Sequence, residues 1–189
     1  MNNPYLQGLI RRIEKVSQEA EDTFGNLSNE QLNWKLNHEK WSIGECLDHL
    51  IVSNATYFPQ FEQMTHGAKR KTLWESLPGW PQLCGYMLLQ TITPEPRHKL
   101  SAPAVFIPQR SEVPPTIVVE FIAHNQLFIK YLREIDAIDH RRTIMTSPAN
   151  SIITYSLYDA CHILTNHEER HLRQAKRVME LEEFPLFKE

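Results

Sequence analysis

The sequence has little that would tie it to a disulfide framework, a membrane or a nucleic acid. It has three cysteines, Cys46, Cys84 and Cys161, an odd number, widely spaced and with no CxxC among them. That usage predicts a reducing cytoplasm, with the thiols buried as small apolar groups. No apolar run is long enough to span a bilayer. The opening stretch, MNNPYLQGLIRRIEK, is amphipathic and lacks the apolar core of a secretory leader. Cations are not in excess: 20 Lys and Arg stand against 23 Asp and Glu, a net charge of -3. No basic face is therefore offered to nucleic acid. Also missing are a glycine-rich phosphate loop, a G-x-S-x-G nucleophile elbow and any internal repeat.

What is present is helical periodicity over 189 residues, enough for one domain, read as 1–189, with a sizeable core. The first helix is predicted over Pro4 to Phe24, with Pro4 in its first turn and Gly25 as its stop. Ser28 to Gln31 has the capping-box pattern of a short helix. Ser42 and Glu45 form a second capping box, opening a helix that should run through Met64 with a kink at Pro59. Residues 68–115 hold eight prolines and the aromatics Trp74, Trp80, Tyr86 and Phe106. We read them as a long connection packed over the bundle, with a short helix around Gln82 to Gln90. A third long helix follows Thr116, its expected N-cap. Asp136 to Tyr155 reads as a polar connection containing Pro148, and a last helix runs from Ser156 to about Glu180. With no convincing strand pattern, the fold class is an all-α four-helix bundle.

The chemistry concentrates in the last helix, at His167-Glu168-Glu169-Arg170-His171. Histidines four apart share one helix face, so both imidazoles can reach one metal ion. The alternative is a pair of hydrogen-bonded core histidines. A metal wants a third ligand, and His49, His124, His162 and the carboxylates are candidates. His162 is turned about 140° away on the same helix and reads as a rim residue. His49 lies about 10 Å into its helix and His171 about 14 Å from the end of its own, so antiparallel helices would bring them level. His124, about 12 Å into the third helix, would border the same level if that helix runs parallel to the second. His38, His66, His98 and His140 read as surface residues, as does Asp48. The run also satisfies HExxH, but Gln174 and Arg177 occupy the places of a metzincin glycine and third histidine. Glu168 is a weak candidate base and reads more readily as a solvated or salt-bridged residue. Cys46 and Cys161 read as core fillers.

WSIGECLDHL, with its Trp-Ser start and following histidine, combined with HEERHLRQ near the C-terminus, resembles the DinB-like metal-binding four-helix-bundle family. The similarity is greatest to its YfiT-type branch of metal-dependent hydrolases. Arg97 to Gln109 resembles the connection before that branch's third helix. The resemblance implies an up-down-down-up bundle with the long Pro-rich crossover between helices two and three. By position it assigns His49, His167 and His171 to a divalent metal, zinc or nickel, with Gln174 as a supporting polar group. Relatives include transferases and isomerases that use low-molecular-weight thiols such as bacillithiol or mycothiol, and many form dimers. The expected function is metal-dependent transfer of such a thiol to an electrophilic small molecule. Hydrolysis and a non-catalytic metal-binding bundle are the alternatives. Trp74, Trp80 and Phe106 are expected to help wall the substrate pocket.

Overall fold

In the computed structural model of the chain, residues 1–67, 69, 71–93, 103–107, 110 and 112–185 are described. They are mostly helical. Helix α1 (Pro4–Phe24) buries Leu6, Leu9, Ile10, Ile13, Val16, Ala20 and Phe24, the seven apolar positions of its stripe. The short α2 (Asn29–Asn33) and the longer α3 (Ile43–Ala55) both start on complete capping boxes, Ser28 with Gln31 and Ser42 with Glu45.

The expected kink at Pro59 is instead a break three residues earlier. Pro59 has no N–H for the Ala55 carbonyl, and its ring crowds that oxygen, so α3 stops at Ala55. A new helix, α4 (Phe58–Thr65), then carries the proline in its first turn, where a missing N–H costs nothing. Helix α5 (Trp80–Thr91) extends the short helix expected near Gln82. Helix α6 (Ile117–Glu134) follows Thr116, but Thr116 does not cap it. Its hydroxyl donates to Glu120 at 2.7 Å instead.

The polar connection after α6 proves to be a hairpin, which corrects the reading of a chain without strands. Strands β1 (Ile144–Ser147) and β2 (Asn150–Ser156) pair antiparallel, with Met145 opposite Tyr155, both fully buried. Ser156 then caps α7 (Leu157–Met179), accepting from the Asp159 amide at 3.0 Å. Helix α5 packs on β2 and α7, where Gly85 allows close approach: a Cβ there would lie 2.5 Å from the Asp159 carboxylate. Much of the Arg97 to Gln109 stretch lies outside the described residues, as does His98.

The core forms two clusters along the bundle. One joins Leu6 to Ile13 of α1 with Phe58 and Phe61 of α4, Phe128 and Leu132 of α6, and Leu157 to Leu164 of α7. The other joins Val16 to Phe24 with Ile43 to Leu50 of α3, Ile117 and Phe121 of α6, and Leu172 to Val178 of α7. No helix among the described residues is long and apolar enough to cross a membrane.

Gly44, inside the WSIGE run, makes the tightest of these contacts. A Cβ at this position would stand 2.1 Å from Val113 Cγ2 and 3.1 Å from the Leu32 carbonyl. Gly44→Ala is therefore expected to cost about 1–3 kcal/mol by overpacking, read as a lower midpoint in thermal or denaturant unfolding.

Candidate metal centre

Three imidazoles converge where α3 crosses α7. His49 comes from the middle of α3, and His167 and His171 from successive turns of α7. Each offers one ring nitrogen to a group whose members lie within 4.8 Å of one another. The Nε2 atoms of His49 and His167 are 3.1 Å apart. Two nitrogens on one tetrahedral ion, each about 2.0–2.1 Å from it, stand about 3.3 Å apart. His49 and His171 are buried, and His167 is half-buried.

The surroundings orient the rings. His49 Nδ1–H donates to the Phe106 carbonyl at 2.5 Å, because a carbonyl only accepts. In the neutral ring that leaves Nε2 unprotonated and facing the other two histidines. Trp41 lies 4.7 Å from the His49 ring and stacks 5.7 Å from the His171 ring. Buried His171 Nδ1 has no hydrogen-bond partner. A buried ring nitrogen left without a partner is unfavourable in a purely hydrogen-bonded cluster, and three converging imidazoles are a donor set that suits a cation.

Burial sets the protonation. It lowers the pKa of His49 to about 4, with the Phe106 carbonyl opposing and the Arg170 charge adding. It also holds His167 and His171 well below the usual imidazole value, helped by their histidine neighbours and Arg170. The neighbouring Gln174 side chain pulls His171 the other way. All three rings are thus neutral at pH 7, the state in which imidazole binds metal. The donor set fits a divalent ion of the zinc and nickel type.

Glu168 is not the solvated residue its sequence position suggests. It is fully buried, one oxygen accepting from Asn54 at 2.5 Å and the other from Asn125 at 3.1 Å. Asn125 also donates to Ser17 of α1 at 3.1 Å. Burial raises the Glu168 pKa to about 7 against these two amides. The carboxylate thus binds α7 to α3 and α6, whereas the histidines gather under Trp41 and the Phe106 carbonyl.

The remaining candidates fall into place around this. His124 is not brought to the triad: it stacks on Phe58, 5.0 Å away, and burial lowers its pKa to about 4. His162 points elsewhere, as expected, but is half-buried, stacked on Tyr5 rather than facing solvent. His140, read as a surface residue, is buried and bonded to Tyr5 and the Ile135 carbonyl. Asp48 is likewise buried, with Arg110 at 3.6 Å. His38 and His66 are exposed. Cys46 and Cys161 are core residues, and burial pushes the Cys161 thiol up to about 12. Of the three expected wall residues only Phe106 reaches the site. Trp74 and Trp80 pair with each other at 5.9 Å, and the Trp80 indole donates to Ile152 of β2. Asn54 and Asn125 were not read from sequence. Their signal was an amide on the apolar stripe of a core helix.

Residues 12–175 match the family model described as the DinB superfamily. No curated protein and no solved structure matches the chain.

Proposed function

This chain belongs to the DinB superfamily, and we propose that it is a divalent-metal-dependent enzyme that transfers a low-molecular-weight thiol to an electrophilic small molecule. The observation that carries the reading is the convergence of three neutral imidazoles, His49, His167 and His171, within 4.8 Å of one another. Zinc or nickel is the proposed occupant. When bound, such an ion supplies positive charge that favours the ionised form of a thiol or water beside it.

The protein's part is orientation. The Phe106 carbonyl fixes the His49 tautomer, and the Trp41 ring covers two of the three imidazoles. The thiol releases its proton to solvent on ionising, the thiolate so placed attacks the electrophilic carbon, a C–S bond forms, and the leaving group departs with its electron pair. No separate base is required. Hydrolysis does require one, and Glu168 has both oxygens held by amides on the core side of α7. That favours transfer over hydrolysis of the YfiT type. The up-down-down-up order belongs to the same proposal. It is supported by the first turns of α3 and α6 sharing one cluster, and α4 and the last turns of α6 the other. So do a cytoplasmic location, with which three unpaired buried cysteines agree, and a homodimer.

The test is metal uptake by untagged protein, followed by assays with a thiol panel and a generic electrophile beside ester and amide substrates. His49→Ala, His167→Ala and His171→Ala should each weaken metal binding by more than the roughly 10–100-fold typical of an outer-shell change. His162→Ala should leave it unchanged. Metal-dependent hydrolysis without thiol conjugation would replace the transfer reading. A metal bound without any turnover would leave a binding bundle.

A further inference from the structure

Arg170 lies between the two α7 histidines, three residues after His167 and one before His171. Its side chain is half-buried and stands one turn after His167 on α7, and its charge helps to hold all three imidazoles of the triad unprotonated. Its guanidinium donates one long hydrogen bond, 3.4 Å, to the carbonyl of Thr91, the last residue of α5. No carboxylate among the described residues forms an ion pair with it. Other cations packed between α1 and α7 are matched. Arg12 holds Glu169 through two bonds of 2.7 and 3.0 Å, and Lys176 holds Glu19 at 2.5 Å.

Among the described residues most of the five donors of this half-buried side chain have no partner, which is costly. Beside a cation site it is doubly so, because it repels the ion the histidines are arranged to hold. A site built only to store metal would be better served by a carboxylate here. The arrangement becomes favourable once an anion lies within reach of both charges, since a guanidinium bonds a carboxylate in a two-pronged, charge-assisted geometry.

We propose that Arg170 determines the specificity of the triad by binding a carboxylate on the incoming thiol, so that the site selects anionic thiols over neutral or cationic ones. This deepens the proposed function and rests on its metal and thiol reading. The sulfur would lie toward the three histidines and the carboxylate, a few bonds away, toward Arg170 and the end of α5.

The experiment uses full-length untagged protein loaded with cobalt(II), whose thiolate charge-transfer band in the near ultraviolet reports sulfur binding directly. It is titrated at fixed pH with 3-mercaptopropionate, 2-mercaptoethanol and cysteamine. The native protein should prefer the carboxylate thiol over the neutral one, and cysteamine should bind worst. In Arg170→Gln that preference should shrink about tenfold or more, the scale of a charge-assisted bidentate contact. Arg170→Lys should keep part of it. Cobalt affinity should be equal or higher in Arg170→Gln, because a repelling charge has gone. Comparing thiols within each protein removes any effect of the substitution on folding. Equal binding of charged and neutral thiols by the native protein, or a preference that survives in Arg170→Gln, overturns the role given to Arg170 and leaves the metal and thiol reading standing. Cobalt uptake with no thiolate band for any thiol, or no cobalt uptake, overturns that reading and the Arg170 role with it.

Discussion

Glu168→Ala is expected to destabilise the protein by about 3–5 kcal/mol, the range for breaking a buried charged or polar network. The side chain is fully buried and accepts from two amides on different helices. Removing it leaves the Asn54 donor unpaired in the core, at a cost of about 1–3 kcal/mol, leaves Asn125 with only its bond to Ser17, and opens a cavity besides. Glu168→Gln tests a different property. The folded-state pKa is raised to about 7, whereas an unfolded glutamate titrates near 4.3. The folded protein therefore binds more protons than the unfolded chain between those values, and metal-free protein loses stability as pH rises through that window. A shift of this size corresponds to roughly 4 kcal/mol. The histidines act in the opposite direction. His49 and His124 are lowered to about 4, so their contribution is lost as pH falls below about 6.5, the ordinary imidazole value. Denaturant titrations from pH 5 to 8 on native protein and Glu168→Gln separate the two, since the histidines are common to both. The difference between the curves should favour the variant increasingly as pH rises. A constant difference would mean that Glu168 stays ionised throughout.

Divalent metal is expected to raise stability by about 4 kcal/mol at a free concentration 1,000 times its dissociation constant. For a chain of this length each kcal/mol moves the melting temperature by about 2–4 °C. A rise on the order of 10 °C should therefore appear with zinc or nickel, and most of it should vanish in His167→Ala. Because His49 takes up a proton only near pH 4, the metal-induced rise should persist at pH 5.5. An exposed histidine cluster would by then be largely protonated. Disappearance of the rise by pH 6 would show that the imidazoles are not desolvated as described.

The helices and their starts were legible because their signals are local. Ser28 with Gln31, and Ser42 with Glu45, close as capping boxes within four residues. His167 and His171 are legible for the same reason, one turn apart on a single helix. His49 needed an argument about matched depths on two helices, and it is drawn to them. What was missed depends on partners that no spacing announces. The hairpin's strands are short and interrupted at Pro148, and their alternation covers too few residues to outweigh the polar composition around them. A sharper reading would have used the β-branched Ile152, Ile153 and Thr154. Glu168 reads as a surface residue beside charged Glu169 and Arg170, and only the amides of Asn54 and Asn125 make its burial tolerable. Asp48 and His140 follow the same rule: each is a polar side chain whose burial is decided by a partner far away in sequence or by a backbone carbonyl.

His49 and His167 stand 118 residues apart in the chain, yet their ring nitrogens are 3.1 Å apart. A chain in which α3 has not met α7 keeps at most the local pair, His167 and His171. Closing so long a loop carries an entropic cost that only packing of distant segments offsets. Tight metal capture is thus a late event in folding, and the rate at which added cobalt acquires its native spectrum times the docking of the last helix on the third.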